Sequence, residues 1–280
     1  MSRLLLATAL AMLPTGVLAQ DRVLSIGGSV TEIVYALGEE GRLVGRDTTS
    51  TYPAAAEALP DVGYLRALSP EGVLSVSPDL ILMEAGAGPA ETLATLEGAG
   101  VKIVTIPGAN SPESVVAKVQ AVAIALGQEA KGAELIAQIK AETARALATV
   151  AAQPGPKPRV LFILGNSGER LTGAGSDTSA AAMIALAGGV NAIEGFAGYK
   201  ALTDEAVAAA APDIILAMEP DEGPGLSGDD PLFSHAALAA TPAGQAKRVV
   251  RMPGMFLLGF GPRTPDAIAT LNAALYAKDN

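Results

Sequence analysis

An α/β architecture of two Rossmann-like lobes, each with a mainly parallel sheet and joined by a single long α-helix, follows from three features of this sequence. Short β-branched or apolar runs alternate with helical stretches bounded by glycine and proline, first over residues 22–106 and again from 158 to 277. Between these series, Gly132 is the one helix breaker in 128–152. A pattern in the first series then recurs in the second, as expected for two related halves.

Val23–Ile26 reads as a strand, Gly27-Gly28 turns the chain, and Ser29 with Glu32 has the spacing of a capping box. Ile33, Val34, Ala36 and Leu37 then give an apolar helix face that ends at Gly38. Arg42–Gly45 is a short strand, and Leu80–Met83 and Val101–Ile106 are strands separated by a helix over Pro89–Gly98. From Ser111 to Val150 the pattern is nearly continuous helix, started by Pro112 and broken near Leu126-Gly127. Gln128–Ala152 suits a rod about 37 Å long, stopped by Pro154, Pro156 and Pro158. A second series follows: strand Val160–Leu164, helix Thr178–Ala187, strands Ile214–Ala217 and Arg248–Arg251, and helix Pro265–Ala277. The expected division is an N-terminal lobe at 20–127, a connecting helix at 128–153 and a C-terminal lobe at 154–280.

Residues 1–19 carry Arg3, an apolar stretch from Leu4 to about Leu13 and Val17-Leu18-Ala19 before Gln20, the form of a cleaved signal peptide. Its apolar stretch is too short to span a bilayer and no later one approaches about 18 residues, so no membrane insertion of the mature chain is expected. With no lipoprotein cysteine, the periplasm is the expected compartment. The chain of 280 residues is half apolar and 17% charged, which excludes disorder as its main state. A formal charge of −10 argues against nucleic acid as a partner. The absence of cysteine excludes disulfides, thiolate metal sites and thiol catalysis, and the single histidine, His235, excludes a polyhistidine metal cage.

The repeated pattern is Leu68-Ser69-Pro70-Glu71 through Pro78-Asp79-Leu80-Ile81-Leu82, matched by Leu202-Thr203-Asp204-Glu205 through Pro212-Asp213-Ile214-Ile215-Leu216. In each, a hydroxyl residue caps a helix with glutamate in its first turn, where the helix dipole favours negative charge, and a Pro-Asp turn then feeds a buried strand. Capping alone accounts for Glu71 and Glu205 taken singly.

No Gly-x-Ser-x-Gly elbow accompanies His235, which reads as a surface or cap residue. Gly173–Asp177 precedes a helix and offers backbone N–H groups to an anionic ligand, or is an ordinary glycine-rich connection. In Asp61–Glu71, Tyr64 and Arg66 are two residues apart and share a side if the segment is extended. A guanidinium nearby favours the phenolate. A phenolate is a hard donor for ferric iron and one of the recognised axial ligands of haem. Arg66 alternatively meets a propionate, and a loop tyrosine also serves plain packing.

Arg22–Ile33, Gly63–Leu68, Gly198–Leu202 and Leu257–Arg263 together make nearly the whole chain resemble the periplasmic haem-binding proteins of bacterial haem ABC importers. These belong to the siderophore- and cobalamin-type superfamily of class III periplasmic binding proteins. The resemblance implies a non-catalytic monomer that captures ferric haem between its lobes and delivers it to an inner-membrane ABC permease. Tyr64 would be the axial ligand to haem iron. Tyr199 and Lys200 would face the cleft from the second lobe, where Tyr199 stacks on the macrocycle or touches propionates. Met252 and Met255 either line the pocket or belong to lobe core. Glu71 and Glu205 would dock onto arginines of the permease. Relatives with a second-lobe histidine ligand have no counterpart here near Ser167, so five-coordinate haem is expected. The competing readings are a ferric siderophore or cobalamin on the same scaffold, and a secreted α/β enzyme using the Gly173 region for an anionic substrate.

Overall fold

The structure is a computed structural model and describes residues 22–167, 170–219 and 231–277; the expected signal peptide lies outside these residues. The first series runs β1 (Val23–Ile26), α1 (Gly28–Ala36), β2 (Leu43–Arg46), α2 (Pro70–Ser75), β3 (Leu80–Glu84), α3 (Ala90–Gly98) and β4 (Lys102–Ile106). Its four strands form one parallel sheet in the order β2-β1-β3-β4. Alternate residues of the central strands face opposite sides: Val23, Leu80 and Leu82 enter one apolar cluster, while Leu24, Ile26, Ile81 and Met83 enter another.

Two antiparallel helices follow, α4 (Pro112–Leu126) and α5 (Glu129–Ala151). Ser111 and Ser114 cap α4 reciprocally, and Gly127 ends it in the left-handed region at φ 69°. The 23 residues of α5 make a rod about 35 Å long. Gly132, an apparent flaw in that helix, is what lets it approach α4: a Cβ there would lie 2.5 Å from the Cβ of Ala123.

The second series comprises β5 (Arg159–Ser167), β6 (Arg170–Ala174), α6 (Ser179–Leu186), β7 (Val190–Asn191), β8 (Tyr199–Ala201), α7 (Asp204–Ala210) and β9 (Ile214–Met218). It continues with α8 (Ala236–Ala239), α9 (Pro242–Gln245), β10 (Val249–Met252), α10 (Gly254–Leu258) and α11 (Thr264–Leu275). The sheet order is β10-β9-β5-β6-β8, with β7 beside β5. Strands β10, β9 and β5 are parallel as expected, whereas β6 and β8 add two antiparallel pairings that the pattern does not announce. Both are short, and part of β6 lies in the glycine-rich stretch. Gly175 is needed because a Cβ would collide with the carbonyl of Phe196, and Gly173 because one would collide with Leu202. That stretch is therefore the end of an interior strand and a close-packed connection rather than an open anion cradle.

The two halves repeat in atomic detail. Ser69 Oγ accepts from the Gly72 N–H and Thr203 Oγ1 from the Ala206 N–H. The aspartate of each Pro-Asp turn accepts from the first strand's arginine N–H, Arg22 to Asp79 at 3.0 Å and Arg159 to Asp213 at 2.8 Å. One apolar cluster is common to both sheets, joining Val34 and Val119 through Ile139 of α5 to Phe162 and Leu271. A shared core of this kind resists independent motion of the halves.

The Ser29–Glu32 capping box does not form. The start of α1 is covered from outside, with Gly27 N–H donating to Asp47 and Gly28 N–H to Thr49. This frees both buried side chains for partners elsewhere. No helix among the described residues is long and apolar enough to cross a membrane.

Candidate functional site

Tyr64 stands on a stretch of backbone that is held from both sides. The Asp61 carboxylate accepts from the Gly63 N–H at 2.8 Å and from Thr48 Oγ1, and Arg46 pairs with it at 3.2 Å. The Thr48 N–H donates to the Gly63 carbonyl. Beyond Tyr64 the chain is a tight turn, closed by Ala67 N–H to Tyr64 carbonyl at 2.8 Å, instead of the extended loop expected. The turn is pinned to the β3–α3 connection by Gly88 N–H to Leu65 carbonyl and Leu68 N–H to Gly88 carbonyl. Despite the turn, Tyr64 and Arg66 line the same cavity.

That cavity, of about 410 Å³, lies between the two halves. Tyr64, Leu65, Arg66 and Ala109 form one side; Leu164, Ser179, Tyr199, Met255 and Leu258 form the other. Tyr64 is 45% exposed and Tyr199 36%, so both aromatic rings are available to a ligand. Tyr199 meets Phe162 edge to face at 6.3 Å, and its hydroxyl lies 3.1 Å from Ser179 Oγ. A second groove, about 340 Å³, lies between α4 and α5 and contains none of the candidate ligand-binding residues.

The cleft also has a charged lining that sequence reasoning missed. Lys118 of α4 is 1% exposed, and its ammonium donates to Glu84 Oε1 at the end of β3, to Ser29 Oγ at 3.0 Å and to the Gly259 carbonyl at 3.1 Å. Ser29 in turn donates to Glu84 Oε2 at 3.2 Å. A second link between the halves is the bidentate pair of Arg263 with Glu32, at 2.6 and 3.0 Å. Arg263 also stacks on Tyr52, with 3.6 Å from guanidinium carbon to ring centre. Burial pushes the Glu32 carboxyl above its ordinary value, against the opposing pull of Arg263 and then Lys118. The sequence signal for Lys118 was its spacing from Val115 and Val122, which puts it on the buried face of α4.

The remaining expected residues divide. Met255 lines the cleft, but Met252 is 3% exposed on β10 and belongs to the core, because its side of the strand packs inward. Lys200 lies 5.3 Å over the Phe196 ring and is not part of the cleft lining. Glu71 and Glu205 are exposed in the first turns of α2 and α7. Hydrogen bonding to its own backbone N–H and to Thr203 holds the Glu205 carboxyl below its ordinary value, so it is charged at neutral pH. His235 precedes α8 with its Nε2 4.0 Å from Asp204, away from the cleft lining. Among the described residues, no cluster of three or more His, Cys, Asp or Glu could hold a bare metal ion.

Known proteins share this fold. The sequence matches the periplasmic binding protein family over residues 23–255. The periplasmic haem-binding protein BhuT, solved with two haems, is 47% identical with a TM-score of 0.85, covering 91% of this chain and 97% of that one. The periplasmic haem-binding protein RhuT from Roseiflexus sp. RS-1, solved in apo form, is 39% identical with a TM-score of 0.86, covering 92% and 98%. An uncharacterized ABC transporter substrate-binding lipoprotein of Bacillus subtilis, YvrC, is 27% identical over 70% of this chain and 62% of its own length. Vitamin B12-binding proteins, such as that of Vibrio vulnificus, match over 30% of either length. The curated relatives are thus matched over less than two thirds of their length. With the family matched across most of its length and the two-sheet frame common to the solved structures, this chain belongs to the periplasmic binding protein family.

Proposed function

We propose that the protein is exported by its signal peptide to the periplasm, captures ferric haem as a monomer and hands it to an inner-membrane ABC permease, with no catalysis of its own. The division proposed for this task is lobe 20–127, connecting helix 128–153 and lobe 154–280. The observation that carries the reading is the half-exposed Tyr64 phenol on a braced turn, at a cleft that offers apolar side chains from both halves alongside its charged ones. Leu65 and Ala109 on one side and Leu164, Met255 and Leu258 on the other suit the faces of a porphyrin, whose burial supplies much of the affinity. The phenolate of Tyr64 is then the iron's single protein ligand, in a five-coordinate complex. Arg66 stabilises that phenolate or pairs with a propionate, and Tyr199 packs against the macrocycle from the other side. Glu71 and Glu205, one on each half, are the proposed contacts to permease arginines. The family and the identity to the two haem-binding structures support this reading.

Titration of the apo protein with ferric haem tests it. The parent protein should give a Soret band and a high-spin charge-transfer band, and Tyr64→Phe should lose the charge-transfer band. Identical spectra for parent and variant would refute iron ligation by Tyr64. Tight binding of cobalamin with no response to haem would refute haem as the cargo.

A further inference from the structure

The cations lining the cleft are Arg66 and Lys118, and they are in opposite situations. Lys118 has three N–H donors, all directed to acceptors: Glu84 Oε1, Ser29 Oγ and the Gly259 carbonyl. It is also nearly sealed from solvent. No donor remains for an incoming carboxylate. Arg66 is exposed and makes no hydrogen bond or ion pair with any described residue. Glu84, by contrast, keeps 18% of its side chain exposed and lines the cavity, so an anion approaching this part of the cleft meets a carboxylate before it meets the ammonium.

We propose that Glu84, held by Lys118, is a specificity-determining residue that turns the anionic edge of the ligand away from the Lys118 side of the cleft and towards Arg66. The inference rests on haem as cargo and adds an orientation to it. In a partly desolvated cleft the electrostatic effect of one charge extends well beyond contact distance. The Lys118–Glu84 pair is neutral as a whole but shows the cleft its carboxylate, with Lys118 1% and Glu84 18% exposed, so the apolar edge of the macrocycle settles against it. The two propionates go to the side with an unused guanidinium. Ligands that would bury an anion beside Glu84 are disfavoured.

The experiment compares affinities for ferric haem and for its dimethyl ester, which has the same ring and iron without the two carboxylates. In Glu84→Gln the Lys118 charge is no longer balanced, and the preference for haem over the ester should rise roughly tenfold through tighter haem binding, with ester affinity little changed. In Lys118→Gln the Glu84 charge is unbalanced and the preference should fall. The opposite signs separate a charge effect from general loosening, which moves both ligands alike, and either folded variant suffices for the test. A preference that stays within twofold of the parent, or parallel changes for haem and ester, would overturn the orienting role while leaving haem binding intact. A parent protein that binds neither ligand would overturn the haem reading and this inference with it.

Discussion

Replacing Lys118 with alanine is expected to lower the thermal midpoint of the apo protein by about 6–12 °C. The side chain is 1% exposed and joins three elements through Glu84, Ser29 and the Gly259 carbonyl. Its removal leaves a carboxylate without its counter-charge and a carbonyl without its donor. Breaking a buried ion pair by deleting one partner costs about 3–5 kcal/mol. Because Glu84 remains 18% exposed, water recovers part of that loss, and the lower end, about 3 kcal/mol, applies. At about 2–4 °C per kcal/mol for a chain of this size, the stated range follows. Lys131→Ala is the control: that lysine is 51% exposed, bridges Glu39 at 3.4 Å and donates to the Leu37 carbonyl at 2.9 Å, so its loss should cost about 1 kcal/mol and shift the midpoint by no more than about 4 °C. Circular dichroism melts of the two variants and the parent measure both. Equal shifts for the two, or a Lys118→Ala midpoint within about 2 °C of the parent, would show that the buried Lys118 contacts do not contribute stability on this scale.

Three further outcomes are expected. Gly132→Ala should destabilise the protein by about 1–3 kcal/mol in denaturant unfolding, because the new methyl meets Ala123 across the α4–α5 contact; an unchanged unfolding midpoint would contradict that close approach. Reversing both docking charges, Glu71→Arg with Glu205→Arg, should abolish haem-dependent growth and leave haem titration unchanged, whereas lost haem binding would argue against a docking role. The raised Glu32 carboxyl means that the folded state holds this proton more tightly than the unfolded chain does. Its stabilising contribution is therefore complete below the ordinary value of 4.5 and is lost as pH rises through the higher folded value. Melts across that window should show the stability of the parent relative to Glu32→Gln falling as pH increases, and a flat difference would refute the assignment.

Much of this was legible in the chain because local chemistry marks it. Ser69 and Thr203 as caps, Pro112 at a helix start, Gly127 as a helix stop and the apolar runs of β1, β3 and β9 each act through their immediate neighbours. The pairings of β6 and β8 were not legible, since a three-residue strand such as Tyr199–Ala201 has no periodicity of its own and is recruited by an existing edge. Ser29 and Glu32 show how a correct local spacing is overridden: Asp47 and Thr49 already satisfy the helix start, and a distant arginine and lysine offer stronger partners. Tyr64 and Arg66 line one cavity as their spacing suggested, although the turn that presents them differs from the extended segment expected. Met252 stayed open between pocket and core because strand alternation does not reveal which face the second half will cover; its 3% exposure puts it in the core.

The apolar runs of β1, β3 and β9, the helix caps and stops and the spacing of Tyr64 and Arg66 could be read from the sequence by itself, since each depends on residues within a few positions of one another, and the duplication showed as one such local pattern recurring 134 positions on. Only the tertiary structure decided that Lys118, Glu84, Ser29 and Gly259 converge at one cleft, and that Arg263 reaches back to Glu32. Those contacts join residues up to 231 positions apart. Buried charges settle where compensating partners are assembled by packing, and no local pattern in the chain encodes that assembly.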